Sequence, residues 1–396
     1  MIYVGIDAAS QKHDVCIINE EGKQFKKIFT IHNNDNEYKK LLDEIKAAKK
    51  FFNDRNVLIG IESTGVYSKA LYNYLGNKLG EVVLINPILT SMFELTDSIH
   101  YAKTDHQDAL GICNFLKRNK NNLRTFTPIS YIIKNLKSLY REYTVINQSL
   151  NKEINRLKGI IHVTFPELFN VFSNFSVKKL LCLLIKYPLP SDLIKHKASV
   201  IMNDVNKDKY ISISLDEVNS LKQYASKTIG TYSQFDGKSI SFIAERIYLL
   251  KRQKEALLSE MKNIVINEHK EILTIPGIGI ATAAGIIGEI GNITNFNNAD
   301  ALVCFAGLDN RVYQSGNYEA KRTRISKRGS SYLRNALLLA SRTICRIDPT
   351  YKVYFQKKIS QGKRYWCALI HASKKLCRLV FHILKTKQNY KPVITN

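Results

Sequence analysis

The sequence lacks any uninterrupted apolar run of about 18 residues or more, so it offers no segment that could span a membrane. Proline is scarce, with 8 in 396 residues, which permits long regular elements and a buried core. The seven cysteines are scattered and form no CxxC pair, so neither a zinc site nor a disulfide framework is expected. The chain begins directly with strand-like IYVGID and not with a signal peptide, and with the cysteine usage this predicts a cytoplasmic protein.

Acidic residues are rare at one end of the chain only. Residues 1–120 contain 16 Lys and Arg against 15 Asp and Glu, residues 121–300 contain 23 against 16, and residues 301–396 contain 20 against 3. A compositional bias of the coding sequence would act along the whole chain and cannot explain this asymmetry. The charge distribution therefore predicts a polyanion-binding surface towards the C-terminal end, with nucleic acid as the partner.

The pattern of apolar residues changes twice along the chain. Over residues 1–125, short β-rich runs alternate with helical stretches, which predicts an α/β domain with a mixed sheet. Residues 126–268 contain two apolar repeats with heptad spacing, interrupted by Glu153 and Lys254, which predict a helical linker with a hairpin or coiled coil. A plain helical core and a dimerisation arm both fit this pattern. Residues 269–396 are predicted to form a mainly α-helical domain. In the first domain, strands are predicted at 2–6, 15–19, 27–31, 57–61 and 82–85, and helices near 36–50, 68–79 and 105–117.

The segment ILTIPGIGIATAAGIIGEIG, residues 272–291, is typical of a helix-hairpin-helix. In such a unit a tight glycine turn exposes backbone N–H groups at a helix N-terminus, where they can bind DNA phosphates without reading sequence. Gly277 and Gly279 are the predicted contact residues. Glycine-rich turns also occur in ordinary helix packing, so both interpretations stay open.

Four carboxylates of the first domain have the placement of a metal site. Asp7 and Glu62 end apolar strands, where an acid is unusual unless something binds it. Asp105 and Asp108 lie three residues apart at a predicted helix start and so share one helix face. Either aspartate alone could be a helix-dipole charge or a solvated residue. As a set, the four acids predict a site for Mg²⁺ or Mn²⁺ that supports phosphoryl transfer.

Three segments, GIDAASQKHDVCI, GIESTGVY and KTDHQDA, resemble the signature segments of a RuvC-like, ribonuclease-H-type domain with a DEDD acidic tetrad. This domain occurs in transposases of the IS one-ten insertion-sequence family, which also contains Piv-type DNA invertases. The resemblance assigns the tetrad to Asp7, Glu62, Asp105 and Asp108.

A second block, FAGLDNRVYQSGNYEAKRTRISKRGSSYLRNALLLAS, residues 305–341, resembles the C-terminal transposase domain of the same family. The resemblance places the nucleophilic serine at Ser315, although an S-G pair by itself is a common turn dipeptide. Among the other hydroxyls, Ser326 fits a helix cap or a phosphate contact. Basic residues that could neutralise charge on phosphate oxygens follow the serine: Arg322, Arg324, Lys327, Arg328 and Arg334. For Arg334 a salt bridge is the alternative.

The resemblance implies a DNA transposase or site-specific recombinase that cuts and rejoins DNA through a covalent phosphoserine, with metal assistance from the tetrad. It also implies a homodimer or tetramer, guidance by a non-coding bridge RNA, and a place with the bacterial nucleoid. Three alternatives remain. They are a metal-only structure-specific nuclease such as a Holliday-junction resolvase, a Piv-like invertase without guide RNA, and a non-catalytic nucleic-acid-binding descendant.

Overall fold

The computed structural model describes residues 1–63, 67–85, 87, 90, 105–123, 125, 130–207, 211–310, 314–315, 318–319 and 324–392. For residues 105, 106, 122, 314, 315, 318 and 319 it describes the backbone alone. The chain divides into two compact units, Met1–Pro128 and Ile129–Asn396. None of the helices in these ranges is long and apolar enough to cross a membrane.

The first unit is built on a five-stranded mixed sheet with the strand order β3-β2-β1-β4-β5. Strand β2 runs antiparallel to β1 and β3, whereas β4 runs parallel to β1 and β5. The predicted α/β domain with a mixed sheet is thus confirmed. Its elements are β1 (Ile2–Ala8), β2 (Lys12–Ile18), β3 (Phe29–His32), α1 (Asp35–Phe51), β4 (Val57–Glu62), α2 (Ser68–Leu79), β5 (Val82–Ile85) and α3 (Asp105–Asn119).

Both faces of the sheet are covered, which explains why β1 and β4 are apolar along nearly their whole length. On one face, Ile2, Val4 and Ile6 pack with buried residues of α1 and α2. On the other face, Tyr3 and Leu58 pack with buried residues of α3. Because side chains alternate along a strand, the last residues of β1 and β4 that share the α3 face are the two acids at positions 7 and 62.

The second unit is helical apart from one short hairpin among its described residues. Its elements are α4 (Tyr131–Thr164), α5 (Leu168–Val171), α6 (Lys178–Lys186), α7 (Pro190–Lys195), α8 (Ala198–Val205), α9 (Leu215–Ser226), α10 (Gln234–Glu268), α11 (Ile280–Ile290), α12 (Ala299–Phe305), β6 (Gln314–Ser315), β7 (Tyr318–Glu319), α13 (Ser331–Ile347), α14 (Pro349–Ser360) and α15 (Tyr365–Thr386). Short 3₁₀ helices of this unit lie at Lys270–Thr274 and Ile293–Asn295, whereas a third, Lys120–Asn122, follows α3 in the first unit.

The long helices α4 and α10 pack against each other, and the polar residues that interrupt their apolar repeats find partners across the pair. Glu153 forms an ion pair with Arg246 at 3.1 Å, and Lys254 Nζ donates to Asn147 Oδ1 at 2.6 Å. Such pairs favour one register, because a shifted register would leave partly buried polar groups without partners. The helical hairpin is therefore present, and supercoiling of the two helices stays a prediction.

Two hydrophobic cores occupy the second unit. In one, Leu157 and Ile161 of α4 pack with the short helices of the insert between α4 and α10. In the other, Leu136 of α4 and Met261 of α10 pack with α11, α13 and α15. The C-terminal helices thus share a core with the long helices, and a domain boundary between residues 268 and 269 stays a prediction.

Candidate active site

The acids Asp7 and Glu62 lie next to each other at the carboxyl end of the sheet. Strands β1 and β4 are parallel, and Ile6 pairs with Ile61, so the two acids are the next residues of neighbouring strands. Both side chains are partly buried, and Glu62 Oε1 accepts a hydrogen bond from the buried Thr90 hydroxyl at 2.6 Å. Pairing of the two strands is therefore what brings these acids together.

Two glycines let helix α3 lie directly on this part of the sheet. A Cβ on Gly5 would lie 2.2 Å from the carbonyl oxygen of Ala109, which is closer than such atoms can approach. A Cβ on Gly60 would lie 3.0 Å from Cγ2 of Ile112. The missing side chains at these two positions set the distance between α3 and the strands.

This contact determines where the two aspartates of α3 lie. Four helical residues towards the N-terminus, just over one turn, cover about 6 Å, and two strand residues cover about 6.6 Å. One turn before Ala109 is Asp105, and one turn before Ile112 is Asp108. Helix α3 runs antiparallel to β1 and β4, because Cys113 Sγ donates to the Tyr3 carbonyl oxygen while Ala109 lies over Gly5. The N-terminal turn of α3 therefore lies over the strand ends that carry the other two acids.

A fifth acid, Asp14, was missed by sequence reasoning. It lies directly opposite Asp7 in the antiparallel β1–β2 pair, so their side chains share a face. Asp14 is only 5% exposed, and its carboxylate accepts a hydrogen bond from the hydroxyl of Thr30 at 2.5 Å. Like charges directly opposite each other on a sheet are destabilising, so a cation at this end of the sheet would be favoured. The signal was present in the sequence as KHDV in the strand next to Asp7.

The donor chemistry fits a hard divalent cation, since these side chains offer carboxylate oxygens. Among the side chains that the structure describes, no group of three His, Cys, Asp or Glu residues could hold a metal ion. Asp105 is described by its backbone alone, so the four acids are compared through the positions of their backbones.

Ser315 lies at the end of a β-hairpin in the second unit. Asn310 bridges Ile325 near the hairpin base, and Ser315 pairs with Tyr318 in the two-residue strands β6 and β7. The backbone of Ser315 therefore belongs to the last described residue pair of β6 and β7.

The hairpin base is tied down by Ser326, which is 4% exposed. Its backbone N–H donates to the Asp309 carbonyl oxygen at 2.8 Å, and its hydroxyl donates to the Asp309 carboxylate. The side-chain cap of α13 is Ser330, whose Oγ accepts from the Leu333 N–H at 3.2 Å. Ser330 and not Ser326 therefore caps this helix, because Asp309 holds the Ser326 hydroxyl at the hairpin base. The alternative, a phosphate contact at Ser326, stays a prediction.

Residues 327–329 connect the hairpin base to the cap of α13 and form a turn, which we call the basic turn. Its residues Lys327 and Arg328 are exposed. Lys327 has a left-handed φ of 56°, and its N–H donates to the Gly307 carbonyl oxygen at 3.1 Å. A Cβ on Gly329 would lie 1.7 Å from the Phe305 carbonyl oxygen, so only glycine fits there. The end of α12 thus holds the basic turn in one shape.

The other predicted phosphate ligands differ in exposure. Arg324 is exposed, whereas Arg322 lies outside the described residues. Arg334 is half-buried, and its Nη1 donates to the Ala306 carbonyl oxygen at 3.0 Å, while burial lowers the pKa of its guanidinium. Arg334 thus binds the carbonyl group at the end of α12, next to the residues on which the basic turn packs.

The two glycines of the PGIG turn also have different surroundings. Gly277 has a φ of 89°, and a Cβ there would lie 2.9 Å from the Ile344 backbone nitrogen of α13. Gly279 is exposed, precedes α11 and has open space around its Cα. The element before the turn is the 3₁₀ helix Lys270–Thr274, so the helix-hairpin-helix stays a prediction.

A mixed α/β sheet with acids at its strand ends, followed by a basic helical unit, is the arrangement expected of an enzyme that acts on nucleic acid. Residues 4–166 match the family model DEDD_Tnp_IS110, described as "Transposase", and residues 269–356 match the model described as "Transposase IS116/IS110/IS902 family". Together the two matches cover more than half of the chain. The chain belongs to the IS110 family of transposases and is a DNA transposase or recombinase, as the sequence predicted.

Named relatives and solved structures are similar to this chain over very different lengths. The "Pilin gene-inverting protein" of Moraxella bovis is 22% identical over 98% of this chain and 97% of its own. The "Transposase for insertion sequence element IS1111A" of Coxiella burnetii is 36% identical over 19% of this chain and 21% of its own. Among solved structures, the Thermus thermophilus RuvC structure is similar over 32% of this chain and 100% of its own, with 12% identity and a TM-score of 0.24.

Proposed function

We propose that this transposase cuts and rejoins DNA through a covalent bond between Ser315 and a 5′-phosphate, assisted by the acids Asp7, Glu62, Asp105 and Asp108. The role of the acids is carried by one observation, the pairing of Ile6 with Ile61, which leaves Asp7 and Glu62 adjacent at the strand ends beneath α3. The role of Ser315 rests on the resemblance of its segment to the family's C-terminal domain. Acids at adjacent strand ends are a rigid platform for phosphoryl-transfer chemistry.

The proposed chemistry is a balanced transesterification. The Ser315 Oγ attacks phosphorus, an Oγ–P bond forms, the P–O3′ bond breaks, and the serine proton ends on the 3′-oxygen that leaves. In the rejoining step, a 3′-hydroxyl attacks the phosphoserine and the serine is released. One ester replaces another at each step, so the sequence of steps needs no ATP.

The four acids are the residues that would hold Mg²⁺ or Mn²⁺. A divalent cation supplies Lewis-acid stabilisation of the charge that develops on the phosphoryl and leaving oxygens. The acids keep the ligand oxygens on rigid elements, with two on strand ends and two on the first turn of α3.

DNA would be gripped mainly by the second unit. Arg324, Lys327 and Arg328 are exposed near the serine-bearing hairpin and suit phosphate oxygens. Gly279, at the start of α11, suits a backbone N–H contact of the helix-hairpin-helix kind. The proposal includes a homodimer or tetramer, association with the bacterial nucleoid, and target choice by a bridge RNA.

The first test is to trap the covalent adduct. Protein is incubated with DNA carrying the ends of its element and Mg²⁺, and protein-linked DNA is resolved on a denaturing gel. Ser315→Ala should abolish the adduct, whereas Ser331→Ala, which removes a neighbouring exposed hydroxyl, should preserve it. The phosphoserine would be overturned if the Ser315→Ala protein still cleaved DNA and an added Asp7→Ala substitution abolished that cleavage. This result would indicate a metal-only nuclease.

A second measurement tests the guide. RNA that co-purifies with the protein, expressed beside its native flanking DNA, is sequenced. One abundant structured RNA with loops that match the flanks is the expected result. Strand exchange by RNA-free protein would contradict the guide and favour an invertase that acts without RNA.

A further inference from the structure

Helix α11 buries one carboxylate close to the basic turn. Glu289 is 3% exposed and accepts hydrogen bonds from Arg141 of α4, through Nε at 2.6 Å and Nη2 at 3.0 Å. Lys137 Nζ lies 3.5 Å from the same carboxylate, and Ser330 Oγ donates to it at 2.9 Å. Burial acts to raise the pKa of Glu289, but these cations and the hydroxyl outweigh it and lower the pKa. The carboxylate is therefore a fully engaged anion that joins three helices.

The contact between α4 and α11 beneath this group is close. A Cβ on Gly288 would lie 2.7 Å from the Lys137 backbone nitrogen, and a Cβ on Gly285 would lie 2.4 Å from the Tyr140 ring. With the backbones this close, α4 has no room to slide over α11. The Arg141–Glu289 pair is thus held at a fixed place.

Ser330 connects this fixed pair to the basic turn. Its hydroxyl donates to Glu289 and accepts from Leu333 N–H, so the single hydroxyl proton is directed towards the carboxylate. Its backbone N–H donates to the Phe305 carbonyl oxygen at 3.2 Å. Ser330 follows Arg328 by two residues, so the position of Ser330 constrains the backbone of the basic turn.

We propose that Glu289 is a positioning residue: anchored by Arg141, its carboxylate holds Ser330 so that Lys327 and Arg328 face DNA phosphates together. The inference rests on the proposed phosphate-binding role of the basic turn. It predicts that Glu289 supports DNA binding even though its own charge repels DNA.

The direction in which DNA affinity changes separates a positioning role of Glu289 from a general effect of its charge. Replacing Glu289 by glutamine adds one unit of positive charge, which by itself tightens binding to a polyanion. Loss of positioning has the opposite effect and also lowers the number of phosphate contacts. That number is read from the slope of log Kd against log salt concentration.

The experiment measures this slope with the full chain and a fluorescent duplex DNA of arbitrary sequence. The variants are Glu289→Gln, Arg141→Lys, which keeps the charge but loses the two-pronged hydrogen bond, and the double variant Lys327→Ala with Arg328→Ala. Glu260→Gln, which removes an exposed acid of α10, is the matched charge control. Folding of each variant is verified by circular dichroism and thermal unfolding.

We expect the double variant to lower the slope by about 2 and Glu289→Gln to weaken binding and lower the slope by about 1. Glu260→Gln should leave the slope unchanged, and Glu289→Gln should have no further effect in the double-variant background. If Glu289→Gln does not fold, Arg141→Lys provides the same readout. If the double variant lowers the slope and Glu289→Gln does not, the inference is overturned and the proposed function stays intact. An unchanged slope in the double variant would overturn both the phosphate-binding role of the turn and the inference.

Discussion

Replacing Gly5 by alanine should disrupt the acidic site without touching any of its acids. The added Cβ would lie 2.2 Å from the Ala109 carbonyl oxygen and 2.9 Å from the Cys113 backbone nitrogen. Both atoms belong to the backbone of α3, so no side chain can rotate away to make room. The helix itself must move, and it carries Asp105 and Asp108 with it.

The size of the effect follows from these distances. A close C···O contact is about 3.3 Å, so the helix has to retreat by about 1 Å. Overpacking of this kind costs about 1–3 kcal/mol of stability. A displacement of about 1 Å at a catalytic group can cost about 100-fold in rate. We therefore expect the rate of strand exchange to fall much further than the folded fraction.

The assay compares strand-exchange rate and thermal unfolding for three Gly→Ala variants of the full chain. Gly60→Ala should be milder than Gly5→Ala, because its two nearest contacts, at 2.7 and 2.9 Å, are the flexible side-chain tips of Ile85 and Leu116. Gly159→Ala, exposed in α4 with nothing within 4 Å, should keep full activity and gain up to about 1 kcal/mol. Wild-type exchange by Gly5→Ala would refute the argument that α3 sets the position of the acids.

Two further predictions concern the second unit. Gly277→Ala should destabilise the chain by about 2 kcal/mol or more, because a left-handed φ and a backbone contact at 2.9 Å both oppose a Cβ; Gly279→Ala should be nearly neutral in the same denaturant unfolding experiment, and equal effects would contradict the packing described for this turn. Because the pKa of Glu289 is lowered in the folded chain, its ionised form stabilises the fold above its ordinary pKa of 4.5, and this contribution is lost as the pH falls through the lowered value. The unfolding free energy of the wild type should therefore fall more steeply below about pH 4.5 than that of Glu289→Gln, and parallel pH profiles would count against an ionised Glu289.

Much of the first unit was readable from the sequence, because its signals are local. Alternation and apolar runs located the strands, and acids at the ends of two of them identified positions 7 and 62. Asp14 was visible as a residue but not as a neighbour of Asp7, because strand pairing joins residues that the chain separates by a turn. Local signals find elements, whereas register decides which residues meet.

The second unit shows where such reading ends. Around the basic turn, Arg334 donates to the Ala306 carbonyl oxygen and Ser326 donates to Asp309, and the motif revealed neither contact. Phosphate binding by these two residues stays a prediction. Gly277 packs on α13, a contact that the PGIG motif did not reveal, and its backbone contact with DNA stays a prediction. Each of these roles depends on an element elsewhere in the chain, which no local pattern reports.

By itself, the sequence determined the family, the α/β class of its N-terminal part and the helical class of its C-terminal part. It also determined the charge asymmetry and the residue types of the candidate chemistry. These properties are carried by composition and by short segments. Tertiary structure alone decided that Glu289 meets Arg141, 148 residues away, and that α3 lies on Gly5 and Gly60. The physical reason is that a buried charge and a close backbone contact are set by the packing of whole helices, and that packing minimises a free energy summed over distant parts of the chain.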